Sequence, residues 1–122
     1  MGVTTNTVTF DNLVVEGFPF QSKRFTLITG QNLERGAPLG KITASGKLAL
    51  LDGSESDGRE TPHSILLIDT DATSADVVTD VYTSGAFDES IVGAFLMSGD
   101  AIADFYEGFR TLGIQLKTTQ GN

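Results

Sequence analysis

The 122-residue chain has no cysteine and no tryptophan, and it holds one histidine and three prolines. Without cysteine there is no disulfide framework, thiolate metal site, iron–sulfur cluster or cysteine nucleophile. No apolar run approaches the roughly 20 residues of a membrane-spanning helix. The polar start, Met1 to Asn6, does not read as a signal peptide, so a soluble, unprocessed protein is expected. Basic residues are also scarce, with 8 Lys and Arg against 16 Asp and Glu and a formal net charge of −8. The imbalance lies beyond Leu51, where Arg59, Arg110 and Lys117 face 13 acids; the chain before that point carries a net +2. Nucleic acids and anionic membranes are gripped by clustered Lys and Arg. No such cluster is present, so neither is expected as a partner.

What is present suits one small domain. A chain of this length buries about two-thirds of its surface, enough for a core without metal or covalent staples. Residues 1–22 read as an N-terminal arm and 23–122 as the core domain. The arm is Thr-rich, alternates weakly through Thr5, Thr7, Val8 and Phe10, and meets a turn signal at Asp11-Asn12. Phe18-Pro19-Phe20 then brings two large aromatics onto a polar segment. The arm reads equally well as a frayed terminus and as a segment that orders on a partner by adding a strand to it.

From Phe25 onward the pattern is β. Strands are expected at 25–29, at 39–43 and 47–51 as a hairpin turning at Ala44-Ser45-Gly46, at 64–69, at 77–83 closed by Ser84-Gly85, and at 114–117. Asp52 to Gly58 is a polar loop with two Asp-Gly turn signals. One helix is expected, from a cap at Ser98 or Asp100 to Leu112. Its apolar stripe is Ile102, Phe105, Phe109 and Leu112, widened by Tyr106, and Gly113 stands at the left-handed C′ position. Gly108 within it implies a close neighbour. The fold class is therefore mainly β with one α-helix.

Chemistry-bearing constellations are weak. His63 follows Pro62 at a loop boundary and reads as solvated. Asp69, Asp71, Thr73 and Asp80 match positions 1, 3, 5 and 12 of a calcium loop, but Ser74 replaces the required Gly and Asp80 the usual Glu. Gly40 to Lys47 has five residues between its glycines where a phosphate loop needs four. The pairs at Asp88-Glu89 and Asp52 to Asp57 read as solvated turns. No enzyme, metal or cofactor is expected.

Several blocks, in order, resemble the head decoration proteins of tailed bacteriophages, the family of the lambda capsid-stabilising protein. They are Arg35-Gly36-Ala37-Pro38-Leu39-Gly40-Lys41-Ile42-Thr43-Ala44-Ser45-Gly46-Lys47, Asp57-Gly58, the run 65–73, the run 83–88 around Gly85, and 109–117 with Leu112-Gly113. The resemblance implies a β-clip-like fold and a homotrimer on the outside of the expanded head. It implies seating at three-fold and quasi-three-fold positions against the major capsid protein, where it would cement the shell against internal DNA pressure. It also implies residence on the virion surface, and in the host cytoplasm before assembly. In that picture the arm is disordered when free and pairs with capsid strands when bound. Removing residues 1–20 is then expected to leave fold and trimer intact while capsid binding collapses. A tail or fibre trimer module is the alternative reading, and a small enzyme or metal-dependent binder a more distant one.

Overall fold

The computed structural model describes residues 13–15, 17–97 and 99–117. Among them the strands are β1 Gln21–Leu27, β2 Gln31–Leu33, β3 Pro38–Lys41, β4 Leu48–Leu50, β5 Pro62–Leu66, β6 Thr70–Ala72, β7 Val77–Asp88 and β8 Ile114–Lys117. The helices are α1 Glu89–Gly93 and α2 Tyr106–Leu112, the second led in by a 3-10 turn at Ile102–Phe105. Six strands form one sheet in the order β1-β4-β3-β5-β7-β8. A further pairing of β1 with β7 closes five of them into a small barrel, while β2 and β6 pair separately.

Side chains alternate across a strand, so a strand standing between two cores needs apolar residues at successive positions. β5 and β7 do this. Leu66 and Val81 enter the barrel core with Leu27, Leu39 and Leu48. Their neighbours Ile65 and Tyr82 enter a second core with Leu13, Phe87, Val92, Phe105 and Phe109 beneath the helices. That double duty explains the apolar run at 65–66. The run stops serving the interior soon after, since Ile68 is exposed.

The expected hairpin is present, with β3 and β4 antiparallel and Gly46 in the turn donating to Ile42. Several expectations need correcting. Ser84-Gly85 does not close β7; the strand continues to Asp88, with β8 parallel along Gly85–Asp88 and Val14 bridged to Phe87. The helix expected to run unbroken to Leu112 begins as the 3-10 turn, with Phe105 and Phe109 buried but Tyr106 and Leu112 exposed. Asp88 is no solvated turn: it is buried and caps the unexpected α1, accepting from the Ser90 amide at 2.9 Å. Nor is His63 freely solvated.

His63 is half-buried, its ring edge-on to Phe25 with centroids 4.8 Å apart, and its Nδ1 lies 3.0 Å from Ser64 Oγ. Burial first, and the positive charge of Lys41 second, hold its pKa below the ordinary 6.5. The folded chain therefore binds this proton less readily than the unfolded chain does. Stability from the neutral ring is fully present above about pH 6.5 and declines as pH falls towards the depressed value. Denaturant midpoints measured across that window are expected to fall with pH, and His63→Gln is expected to flatten the slope. An unchanged slope in the variant would assign the effect to other groups.

The segment expected as an arm is divided by the structure. Leu13 is fully buried, Val15 donates to the Ala86 carbonyl at 2.9 Å, and β1 already begins at Gln21. A deletion ending at residue 20 therefore removes core, contrary to the expectation that the fold would survive it. Thr5, Thr7, Val8 and Phe10 lie outside the described residues.

Candidate functional site

Leu13–Val15 and β1 both run antiparallel along β7, but not in one register. The Val14–Phe87 bridge and the Gln21–Ser84 pair are seven residues apart on one side and three on the other, so the pairing is out of register between them. Within that interval Phe18 and Phe20 are 44% and 52% exposed.

These rings are seated by identifiable partners. Phe20 stands edge-on to Tyr82, with centroids 5.3 Å apart and planes at 90°. Its stem lies over Gly85, where an added Cβ would fall 2.9 Å from Phe20 Cβ and 3.0 Å from Phe87 Cζ. Gly85 also holds φ +140°, which side-chain-bearing residues rarely adopt. Lys117 of β8 places its ammonium 5.0 Å from the Phe18 ring centroid. Beneath them Arg35 donates through Nη1 to the Tyr82 hydroxyl at 2.9 Å and the Leu67 carbonyl at 2.8 Å. Asp69 accepts from the Arg35 amide at 2.8 Å. Two block residues thus support Phe20 by different routes, Arg35 through Tyr82 and Gly85 by lying directly beneath its Cβ. The part played by Tyr82 escaped the sequence reading because its position looks like an ordinary strand interior.

The other block residues build the scaffold. Leu39 and Ile42 are buried, and Gly36 faces Ile91 and Leu13. Gly40 lies against the backbone of Arg59, and Gly58 against that of Lys41. Asp57 pairs with Arg59 at 3.0 Å, and this hydrogen-bonded pair lowers its pKa. Gly113 ends α2 in the left-handed conformation, φ +92°, beside the exposed Leu112. Gly108 does have the expected close neighbour, the Pro62 ring.

Asp69, Asp71 and Asp80 of the calcium-loop pattern line one open pocket with Arg24, but among the described residues they form no group that could hold a metal ion. Asp69 serves Arg35, Asp71 accepts from the Thr73 amide at 3.0 Å, and Asp80 pairs with Arg24 at 3.3 Å. Tyr106 donates to Glu89, which raises the Tyr106 pKa and ties α2 to α1.

Among the described residues the domain is mainly β and closed, and it carries a ledge of two exposed aromatics, Phe18 and Phe20. The model of the family of bacteriophage lambda head decoration protein D matches residues 3–94, about three-quarters of the chain, and the chain belongs to that family. The match takes in the blocks carrying Arg35 and Gly85, while the block 109–117 lies beyond it. Membership makes this a structural, capsid-binding protein of the phage virion. No curated protein matches the chain.

Proposed function

We propose that the protein binds the outside of the expanded phage head as a homotrimer at three-fold and quasi-three-fold positions, and that it cements the shell against the pressure of packaged DNA. The observation that carries this reading is the exposed Phe18–Phe20 ledge, held on Gly85 and Tyr82 by a chain that belongs to the decoration family. Aromatics fixed at a surface lose little entropy on docking and dominate interface energetics. The N-terminal segment carrying Thr5, Thr7, Val8 and Phe10 adds strands to the capsid protein beside the ledge. Three linked copies gain avidity that one copy lacks. The net charge of −8 keeps free copies apart before assembly.

Cosedimentation with expanded heads lacking decoration protein tests this. Binding is expected to saturate near about one copy per capsid subunit, as trimers on every three-fold position require, and to be absent on unexpanded shells. Phe18→Ala and Phe20→Ala are each expected to weaken binding about 30-fold, the scale of an aromatic hot spot worth about 2 kcal/mol. Wild-type binding by the double variant, with its fold intact, would remove the ledge from the contact. Binding to tails and not heads would favour the tail or fibre module.

A further inference from the structure

The chain contains two Asp-Gly bonds, Asp52-Gly53 and Asp57-Gly58, both in the loop joining β4 to β5. Such bonds are the points at which an ageing protein converts aspartate to isoaspartate. Glycine carries no Cβ to obstruct its amide nitrogen. That nitrogen attacks Cγ of the protonated aspartate, the new C–N bond forms, the C–OH bond breaks, and the hydroxyl leaves as water with the amide proton. Water then opens the resulting succinimide at the former backbone carbonyl, and the chain runs on through the side chain. The attack needs a free amide N–H and a mobile carboxyl group.

Both requirements are blocked, by different means. At the second bond, the Gly58 amide donates to Glu60 Oε1 at 2.8 Å, only two residues away. Both oxygens of Asp57 are held by the Arg59 guanidinium, and the Asp57 carbonyl accepts from the Thr43 amide at 2.9 Å. At the first bond, Asp52 Oδ1 accepts from the Ser54 amide at 3.0 Å and its hydroxyl at 2.7 Å. The Gly53 amide, however, donates to Asp100 Oδ2 at 3.0 Å, across 47 residues. An added Cβ at 53 would lie 2.7 Å from Asp100 Oδ1, so only glycine admits that carboxylate so closely.

We propose that Asp52-Gly53 is the protein's latent isoaspartate site and that Asp100 guards it by holding the Gly53 N–H. The guard is remote and its hydrogen bond is exposed, whereas Asp57-Gly58 is guarded within its own turn. A virion component is made once and not renewed, so this bond sets a chemical lifetime for the loop. The hydrogen bonds from Ser54 also lower the Asp52 pKa, which disfavours the protonated carboxyl that reacts most readily.

The test ages the full chain at neutral pH for weeks, alongside Asp100→Ala and Asp100→Asn, with circular dichroism confirming that each remains folded. Isoaspartate is then quantified at both sites by mass spectrometry with electron-transfer fragmentation. Asp100→Ala is expected to accumulate isoaspartate at residue 52 about tenfold faster, the factor set by losing one charge-assisted hydrogen bond. Residue 57 is expected to stay at its wild-type rate. Asp100→Asn, whose amide oxygen still accepts, is expected to stay near wild type. An unchanged rate at 52 in Asp100→Ala overturns the proposal. An equal rise at 57 would mean general loosening, and a slower rate would make Asp100 a base; either result overturns it too.

Discussion

Leu13→Ala is expected to destabilise the domain by about 3 to 5 kcal/mol, the cost of emptying a fully buried leucine site. Leu13 has no exposed surface and packs in the core that holds Phe87 and Phe109. Its backbone is engaged as well: the Leu13 carbonyl accepts from Asp88 at 2.8 Å, next to the Val15–Ala86 bond. Those bonds continue the β1 edge along β7 and fix the residue that caps α1. Deleting residues 1–20 removes all of this and is expected to abolish cooperative unfolding. A deletion ending at residue 12 retains every described core side chain and is expected to unfold cooperatively near the wild-type midpoint. Urea titrations followed by circular dichroism separate the two. A wild-type transition in the 1–20 deletion would mean that Leu13 contributes nothing. The distinction governs any capsid-binding experiment, because loss of binding by the longer deletion would report unfolding rather than a missing arm.

The parts of the fold legible in the sequence were those fixed locally. The 38–50 hairpin follows from its turn chemistry, and the end of α2 follows from Gly113. The strand expected at 64–69 was legible in part: Ile65-Leu66 is buried on both sides, but β5 ends at Leu66 and Ile68 is exposed. The continuation of β7 was not legible, because Ser84-Gly85 carries a breaker signal while the residues that override it, Val14 and Ile114, lie far away in sequence. Leu13-Val14-Val15 did offer an apolar signal, but it is embedded in a polar terminus. Asp88 looked like half of a solvated acidic pair, although a β residue followed by Glu89-Ser90 is also how a short helix begins.

The candidate site divides the same way. Phe18 and Phe20 were legible as large aromatics out of place on a polar stretch. What holds them in place was not, since Phe20 reaches Tyr82 and Gly85 only where β1 runs along β7, and Arg35 reaches Tyr82 from the turn between β2 and β3. The blocks that mark the family are mostly scaffold, and their glycines mark places where one backbone crosses close to another.

That reading of the glycines makes a graded prediction. At Gly40 an added Cβ would lie 2.3 Å from the Arg59 carbonyl oxygen and 2.5 Å from its Cα. The obstacle is backbone, and it is pinned, because the Arg59 carbonyl accepts from Asp52 at 3.2 Å and its guanidinium is held by Asp57. Relief would require separating the 52–59 loop from β3, so Gly40→Ala is expected to cost about 3 kcal/mol or more. At Gly108 the obstacle is the Pro62 ring, 2.9 Å from the added carbon. There the gain of about 1 kcal/mol in helix propensity opposes the displacement, and the two nearly cancel. At Gly93, the last residue of α1, the nearest atom is Ile102 Cβ at an ordinary 3.5 Å. Gly93→Ala is therefore expected to stabilise the protein by about 0.5 kcal/mol. Urea midpoints should rank Gly93→Ala above wild type, Gly108→Ala close to it, and Gly40→Ala far below. If Gly40→Ala matched wild type, the approach of β3 to the 52–59 loop would be looser than the structure has it, and the glycine would mark no crossing.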